Sequence, residues 1–340
     1  MSLQELAGAL RESRGFRHKT DIGGVIQTLS RALPGGLRDM EQAVALGDDC
    51  AAIADGDGYL LFAIEGLVGD FVRALPWFAG YSGVMVNVSD IYAMGGRPLA
   101  VVDALWFDGR GDADAVLQGM AAASAAYGVP LVGGHTNTRS EQGQLAVAIV
   151  GRAQKLLSSF NARPGDSLIM AVDLRGRFEE PYPFWNASVG APPQRLRGDL
   201  QILAEFAENG VCDAAKDISM AGVLGTLLML LECSRAGALI DMDKIPAPPG
   251  VPVRRWLEAF PSFGFVLSVR PHYVNVVCNR FRARGIACAV VGKVDDSRAV
   301  QLCSGEERVL LWDLNEQAFI TSATSGAAGI AAPPPVAAYR

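Results

Sequence analysis

The stretch PWFAGYSGVMVNVSDIYAMGGRP, residues 76–98, decides the reading of this chain. It reads as a helix closed by Gly95-Gly96, with Pro98 just beyond. Gly80, Gly83, Asn87 and Asp90 follow offsets of three, seven and ten, so they share one helical face. That face is small, then polar, then acidic, and it sets an amide and a carboxylate one turn apart. Two uses fit it. One is a small-residue packing seam with Asp90 in a structural hydrogen bond. The other is a cation site, because Mg²⁺ is held by one or two carboxylates together with ligand phosphates.

Upstream, LGDDCAAIADGDGYLLFAIEG (residues 46–66) sets two β-type segments around a strong turn signal, Asp55-Gly56-Asp57-Gly58. A two-residue turn at Gly56-Asp57 predicts a hairpin whose pairing, carried back, sets Asp48 opposite Glu65 and Asp49 opposite Ile64. Like charges directly opposite are destabilising, and a hard divalent cation would reverse that sign. Solvated acids at a strand end are the plainer alternative. Downstream, VPLVGGHTNT (residues 129–138) is a short apolar strand ending in two glycines, followed by His135 and Thr136. Glycines let backbone N–H groups approach a phosphate or a metal-bound ligand, although a lone histidine is more often structural. In AAKDISMAGVLGTLLMLLECSRAG (residues 214–237), Asp217 and Ser219 precede an apolar helical run and either could cap it. Lys216 beside them suits phosphate or solvent.

The chain has 340 residues, enough for about two domains. Half are hydrophobic and 19% charged, which excludes a disordered chain. Strands alternate with helices in two series, which argues an α/β or α+β build. The boundaries expected are a lead-in over 1–44, a first domain over 45–153, a second over 154–315 and a loose Ala/Gly/Pro-rich tail over 316–340. The net charge of −6, with no basic stripe, argues against nucleic acid. Short apolar runs and an N-terminus without a basic region argue against a membrane span or signal peptide and for a cytoplasmic protein. Six scattered cysteines form no CxxC pair, so they read as reduced thiols. P-loop, GxGxxG, GxSxG and HExxH patterns are absent, and three histidines exclude a His-rich metal site.

Taken together and in order, GDDCAAI (47–53), NVSDIYAMGGRP (87–98), VGGHT (132–136) and KDISMAGVLGT (216–226) resemble the AIR synthase-related, or PurM-like, superfamily. Its members include aminoimidazole ribonucleotide synthetase, thiamine-monophosphate kinase, selenophosphate synthetase and the HypE-type hydrogenase maturation protein. The resemblance implies an α+β fold of two domains. The first would carry a four-stranded sheet that pairs with its twin in a homodimer barrel, and the second would be an α/β sandwich packed against it. It implies ATP in a cleft, with Mg²⁺ ions bridging its phosphates to acids. Asp48, Asp49, Asp90 and Asp217 match metal-binding acids, and Glu65 stands in for an acid displaced after the second strand. Gly47, Asn87, Gly133, Gly134 and Thr136 match positions near the nucleotide.

Departures bear on the subfamily. His135 and Met220 stand where thiamine-monophosphate kinases carry acids. GFRHKTDIGG (15–24) offers Lys19 but no cysteine for selenium chemistry, and the sequence ends PPPVAAYR, without the HypE-type cysteine. The expected activity is ATP- and Mg²⁺-dependent phosphoryl transfer to an oxygen of an unidentified small molecule. Lys19, Lys216 and His135 are the candidate catalytic groups. The alternatives are a thiamine-monophosphate-kinase-like enzyme and a non-catalytic nucleotide-binding dimer. The segment over residues 178–199, aromatic and basic, fits two uses: an ordered surface loop, or a flap that closes over a substrate, with Arg195 and Arg197 offering bidentate anion contacts.

Overall fold

Alternating apolar and polar residues build a first sheet from β1 (Ala51–Asp55), β2 (Gly58–Leu67), β3 (Arg97–Asp108), β4 (Leu131–Asn137) and β5 (Arg139–Ala153), in the spatial order β1-β2-β5-β3-β4. The computed structural model from which this is read describes residues 1–32, 46–108 and 111–321. The sheet has five strands rather than the expected four, because the VGGHT stretch runs on as β4, a parallel edge strand beside β3. The hairpin register is the predicted one, with Ala51 opposite Phe62 and Asp55 opposite Gly58. It does not extend as far as expected. Pairing begins at Ala51, so Asp48 is not opposite Glu65, nor Asp49 opposite Ile64. The second domain draws both aspartates away from the ladder.

One face of this sheet is covered by helices α3 (Gly69–Ala74), α4 (Pro76–Ala93) and α5 (Gly111–Tyr127). Leu61, Val101, Leu105, Val147 and Ile149 point into that core and meet Val84, Val88 and Ile91 of α4. Helix α4 is the predicted helix, and Gly95 after it has the left-handed φ of 76° that ends such runs. The small end of its predicted face serves packing. A Cβ on Gly80 would lie 2.0 Å from the Val116 carbonyl oxygen of α5. On the opposite side of the sheet, Phe62, Ile64, Leu99, Val102 and Val132 are exposed.

The second domain holds a seven-stranded sheet, β15-β14-β10-β13-β6-β12-β9. Its strands are β6 (Ser167–Val172), β9 (Ala214–Asp217), β10 (Gly237–Asp241), β12 (Gly264–Val269), β13 (Ala287–Asp295), β14 (Ala299–Ser304) and β15 (Glu307–Asp313). A small sheet, β11-β8-β7, joins β7 (Arg177–Phe178), β8 (Phe184–Asn186) and β11 (Phe260–Pro261). The helices are α6 (Pro193–Glu208), α7 (Gly222–Cys233), α8 (Val253–Leu257) and α9 (Val274–Arg282). Strands β6, β9 and β12 of the large sheet are buried on both faces. Ile169 and Ala171 of β6 join the core shared with the first domain, whereas Leu168, Met170 and Val172 face the fully buried α7.

The lead-in docks on this domain. Helix α1 (Leu3–Arg11) opens with a Ser2/Glu5 capping box and buries Leu3, Leu6, Ala7 and Leu10, an i, i+3, i+4, i+7 stripe. Helix α2 (Arg14–Ala32) follows and buries Phe16 against Trp312 and Phe319. Phe319 and Ile320 of the expected tail are buried too, and their N–H groups donate to Glu232. The rest of that tail (322–340), residues 33–44 of the lead-in and residue 45 of the expected first domain lie outside the described residues. No helix among the described residues is long and apolar enough to cross a membrane.

Candidate metal and nucleotide site

Three chain segments end at one point. Asp49 lies just before β1, Asp90 is in the last turn of α4 and Asp217 closes β9; one carboxylate oxygen of each lies within 4.8 Å of the others. Asp90 and Asp217 are 5% and 4% exposed. Burying like charges side by side is costly unless something offsets them. Lys216 offsets part of that charge. Its Nζ pairs with Asp49 inside the protein and reaches the Gly47 carbonyl at 3.4 Å. The Asp217 backbone N–H donates to the other Asp49 oxygen at 3.2 Å.

Asp90 gains no such partner. Its Oδ2 is buried and unbonded, and so is Oδ1 of Asn87, one turn earlier. The Asn87 amide nitrogen donates to Gly83 O and Val147 O, at 2.7 and 3.0 Å. Orphaned buried oxygens call for an explanation, and a bound ion is one. Burial pushes the Asp90 and Asp217 carboxyls well above the usual carboxylate range; the neighbouring aspartate adds to the rise and Lys216 opposes it. Burial alone would lower the Lys216 ammonium, but Asp49 and Asp48 outweigh it and the net shift is upward. The donor set is hard oxygen, buried and under-neutralised. It fits Mg²⁺, which favours carboxylates completed by ligand phosphates.

Several predicted residues lie elsewhere. Asp48 is not in the trio. It accepts from Ser158 Oγ at 2.7 Å and from Ser159 Oγ at 2.6 Å, so the interdomain connection saturates it. Gly47 packs on Cys233 and supplies the carbonyl that receives Lys216. Gly133, Gly134, His135 and Thr136 are exposed on β4, with the His135 ring centroid 6.2 Å from that of Trp106, and none of them lines the cleft at the trio. Neither Asp217 nor Ser219 caps α7 through its side chain. The residue before that helix is Ala221, in a left-handed conformation at φ 92°. That leaves the Asp217 carboxylate free for the trio. Arg195 and Arg197 are engaged within the fold, donating to the carbonyls of Ala187, Ala125 and Ala126.

A cleft of about 250 Å³ opens beside the trio, between the two domains. Asp90, Asp217, Glu65 and Lys19 line it, Glu65 from the end of β2 and Lys19 from α2. Sequence reasoning missed the Lys216–Asp49 pair and the Ser158/Ser159 clasp, both of which depend on interdomain packing that no local pattern encodes.

The chain is thus a two-domain α+β protein with a carboxylate trio at the domain boundary. The chain belongs to the AIR synthase-related family: residues 47–153 match "AIR synthase related protein, N-terminal domain" and residues 184–303 match "AIR synthase related protein, C-terminal domain". An uncharacterized protein of Synechocystis is 46% identical over 315 residues, covering 92% of this chain and 97% of its own. A thiamine-monophosphate kinase of Pyrococcus horikoshii is 29% identical over 276 residues, covering 76% and 85%. Among solved structures, T. maritima PurL complexed with ATP superposes with a TM-score of 0.67 at 20% identity, over 80% of this chain and 46% of that one. AaThiL complexed with AMPPCP and TMP gives 0.65 at 22% identity, over 84% and 96%. At those identities the likeness shows the fold.

Proposed function

We propose that this protein is an ATP- and Mg²⁺-dependent enzyme that transfers a phosphoryl group to an oxygen of a small molecule. The observation that carries the reading is the buried trio of Asp49, Asp90 and Asp217, with an unbonded oxygen on Asp90. The names of the Pyrococcus kinase and of the ATP- and AMPPCP-bound structures agree with it.

Phosphoryl transfer is mostly positioning and charge neutralisation. Mg²⁺ held by the trio would neutralise triphosphate charge. Lys216 fixes the Asp49 carboxylate, and Lys19 supplies a cation at the cleft mouth for the transferred group. The acceptor oxygen forms the new P–O bond and releases its proton to solvent water, the bond from the terminal phosphorus to the bridging oxygen breaks, and ADP leaves with that electron pair. Gly133, Gly134, His135 and Thr136, exposed on β4, are assigned to a nucleotide held across a homodimer interface. Thiamine monophosphate is the first acceptor to try, because of the Pyrococcus relative; His135 and Met220 weigh against it. Calorimetric titration with AMPPCP, with and without Mg²⁺, tests the reading. Binding that needs Mg²⁺ and vanishes in Asp90→Asn and Asp217→Asn supports it; binding indifferent to both ends it.

A further inference from the structure

The interdomain cleft has two chemically different ends. One is the acid trio. The other is a wall of rings: Phe71, Phe78, Tyr182, Phe184 and Phe260. The small sheet builds it, because β8 and β11 pair in parallel with Phe184 opposite Phe260. The Tyr182 and Phe184 rings stack at 5.5 Å and 10°, and Phe71 meets both edge-on, at 5.1 and 4.7 Å. Phe71 and Phe78 are buried, while Tyr182, Phe184 and Phe260 keep part of their surface open to the cleft. Half-open rings in a concave site are what a flat apolar ligand completes.

Charge divides the cleft in the same way. Its lining cations, Arg14 and Lys19, both come from α2. Lys19 acts on Glu65 and Asp217, at the acid end. At the ring end the charged lining residues are Asp70 and Glu258, engaged by Arg73 and Arg254. A distal phosphate or carboxylate there would lie beside those two acids. At about 250 Å³ the cleft lies just below the roughly 300–1,000 Å³ of drug-sized ligand pockets, which suits one or two small rings.

We propose that the acceptor is a small aromatic or heteroaromatic compound, neutral or cationic at its ring, which stacks against Tyr182, Phe184 and Phe260 and extends its reacting oxygen on a short arm towards Asp90 and Asp217. This rests on the phosphoryl-transfer reading for the fate of the oxygen, though not for ring binding itself.

Saturation-transfer NMR with 3-(hydroxymethyl)pyridine, cyclohexylmethanol and glycerol 3-phosphate, each with the full chain, tests it. The pyridine is expected to receive saturation at its ring protons and to bind about tenfold more tightly than cyclohexylmethanol, with glycerol 3-phosphate weakest. Phe184→Leu keeps the bulk and removes the ring, and it should erase that preference; Tyr182→Leu provides a second variant should the first fail to fold. Equal binding of the pyridine and cyclohexylmethanol by the unaltered protein, or tighter binding of glycerol 3-phosphate, overturns the proposal without any variant. An AMPPCP titration on the same sample separates the two readings. Ring binding without Mg²⁺-dependent nucleotide binding would leave this inference standing and remove the phosphotransferase.

Discussion

Asp90 and Lys216 are buried charges with opposite histories. Asp90 is crowded by like charge, so replacing it with the isosteric amide should relieve the fold while removing a ligand. In EDTA, Asp90→Asn is expected to melt no lower than the unaltered protein. With millimolar Mg²⁺ the unaltered protein should gain stability, and the variant should not, because only a folded state that binds the ion is stabilised by it. A variant that gains as much would take Asp90 out of the metal site. Lys216→Met does the reverse. It strands Asp49 without its cation in a site where both side chains are 5% exposed. Removing one member of such a pair costs about 3–5 kcal/mol, so the urea midpoint should fall steeply. Mg²⁺ should recover part of that loss, since the ion can replace the ammonium. At this scale the sequence was informative about the types and only partly about the positions. Asp90 was legible from the small, polar face of its helix, whereas Asp217 read by itself as a helix cap and entered the metal set only through the family resemblance. Asp48 and Asp49 are adjacent in GDD and look equivalent. What separates them is Ser158 and Ser159, which close on Asp48 from more than a hundred residues away.

Among the elements, α4 was the most legible, because its end signals and its small face agree. The structure divides that face: Gly80 and Gly83 pack closely, while Asn87 and Asp90 each bury an oxygen without a partner. The division makes a prediction. In Gly80→Ala the added Cβ would sit 2.0 Å from a backbone oxygen of α5, which cannot swing away as a flexible side chain could. Overpacking typically costs about 1–3 kcal/mol, so the urea midpoint should drop although alanine is the better helix former. An unchanged midpoint would mean that α4 and α5 separate freely. The hairpin was legible as far as local turn chemistry governs it, and its register is correct to the residue. Beyond Ala51 the chain answers to the other domain, and alternation no longer describes it. The segment over 178–199 reads as a surface loop or a basic flap. Its arginines instead bond to carbonyls, and its aromatic residues carry the surface that faces the cleft. Composition showed both residue types but not which of them would point inward.

For the whole molecule, the two faces of the first sheet are unequal. One is sealed by α4 and α5. The other leaves Phe62 at 49%, Ile64 at 63%, Val102 at 41% and Val132 at 62% exposure. Exposed apolar residues grouped on one face suit an interaction surface, and the prediction is that a second copy of the chain covers it. The same strands explain why the site looks divided within one chain. The β4 residues Gly133 to Thr136 stand on the sheet's edge, away from their own acid trio. If they contact a nucleotide held by the partner's acids, assembly and binding must fail together. Light scattering should give the unaltered protein about twice the chain mass of 35.9 kDa. Phe62→Glu combined with Ile64→Glu places charges at the centre of the face and should return the mass of one chain, with an unchanged circular dichroism spectrum. The decisive reading is the AMPPCP titration of that monomer. Lost binding would tie β4 to the partner's site; intact Mg²⁺-dependent binding would show each chain complete in itself and leave Gly133, Gly134, His135 and Thr136 without a role at the nucleotide. An unaltered protein that scatters as a single chain would remove the dimer altogether, and the exposed face would then need a different partner.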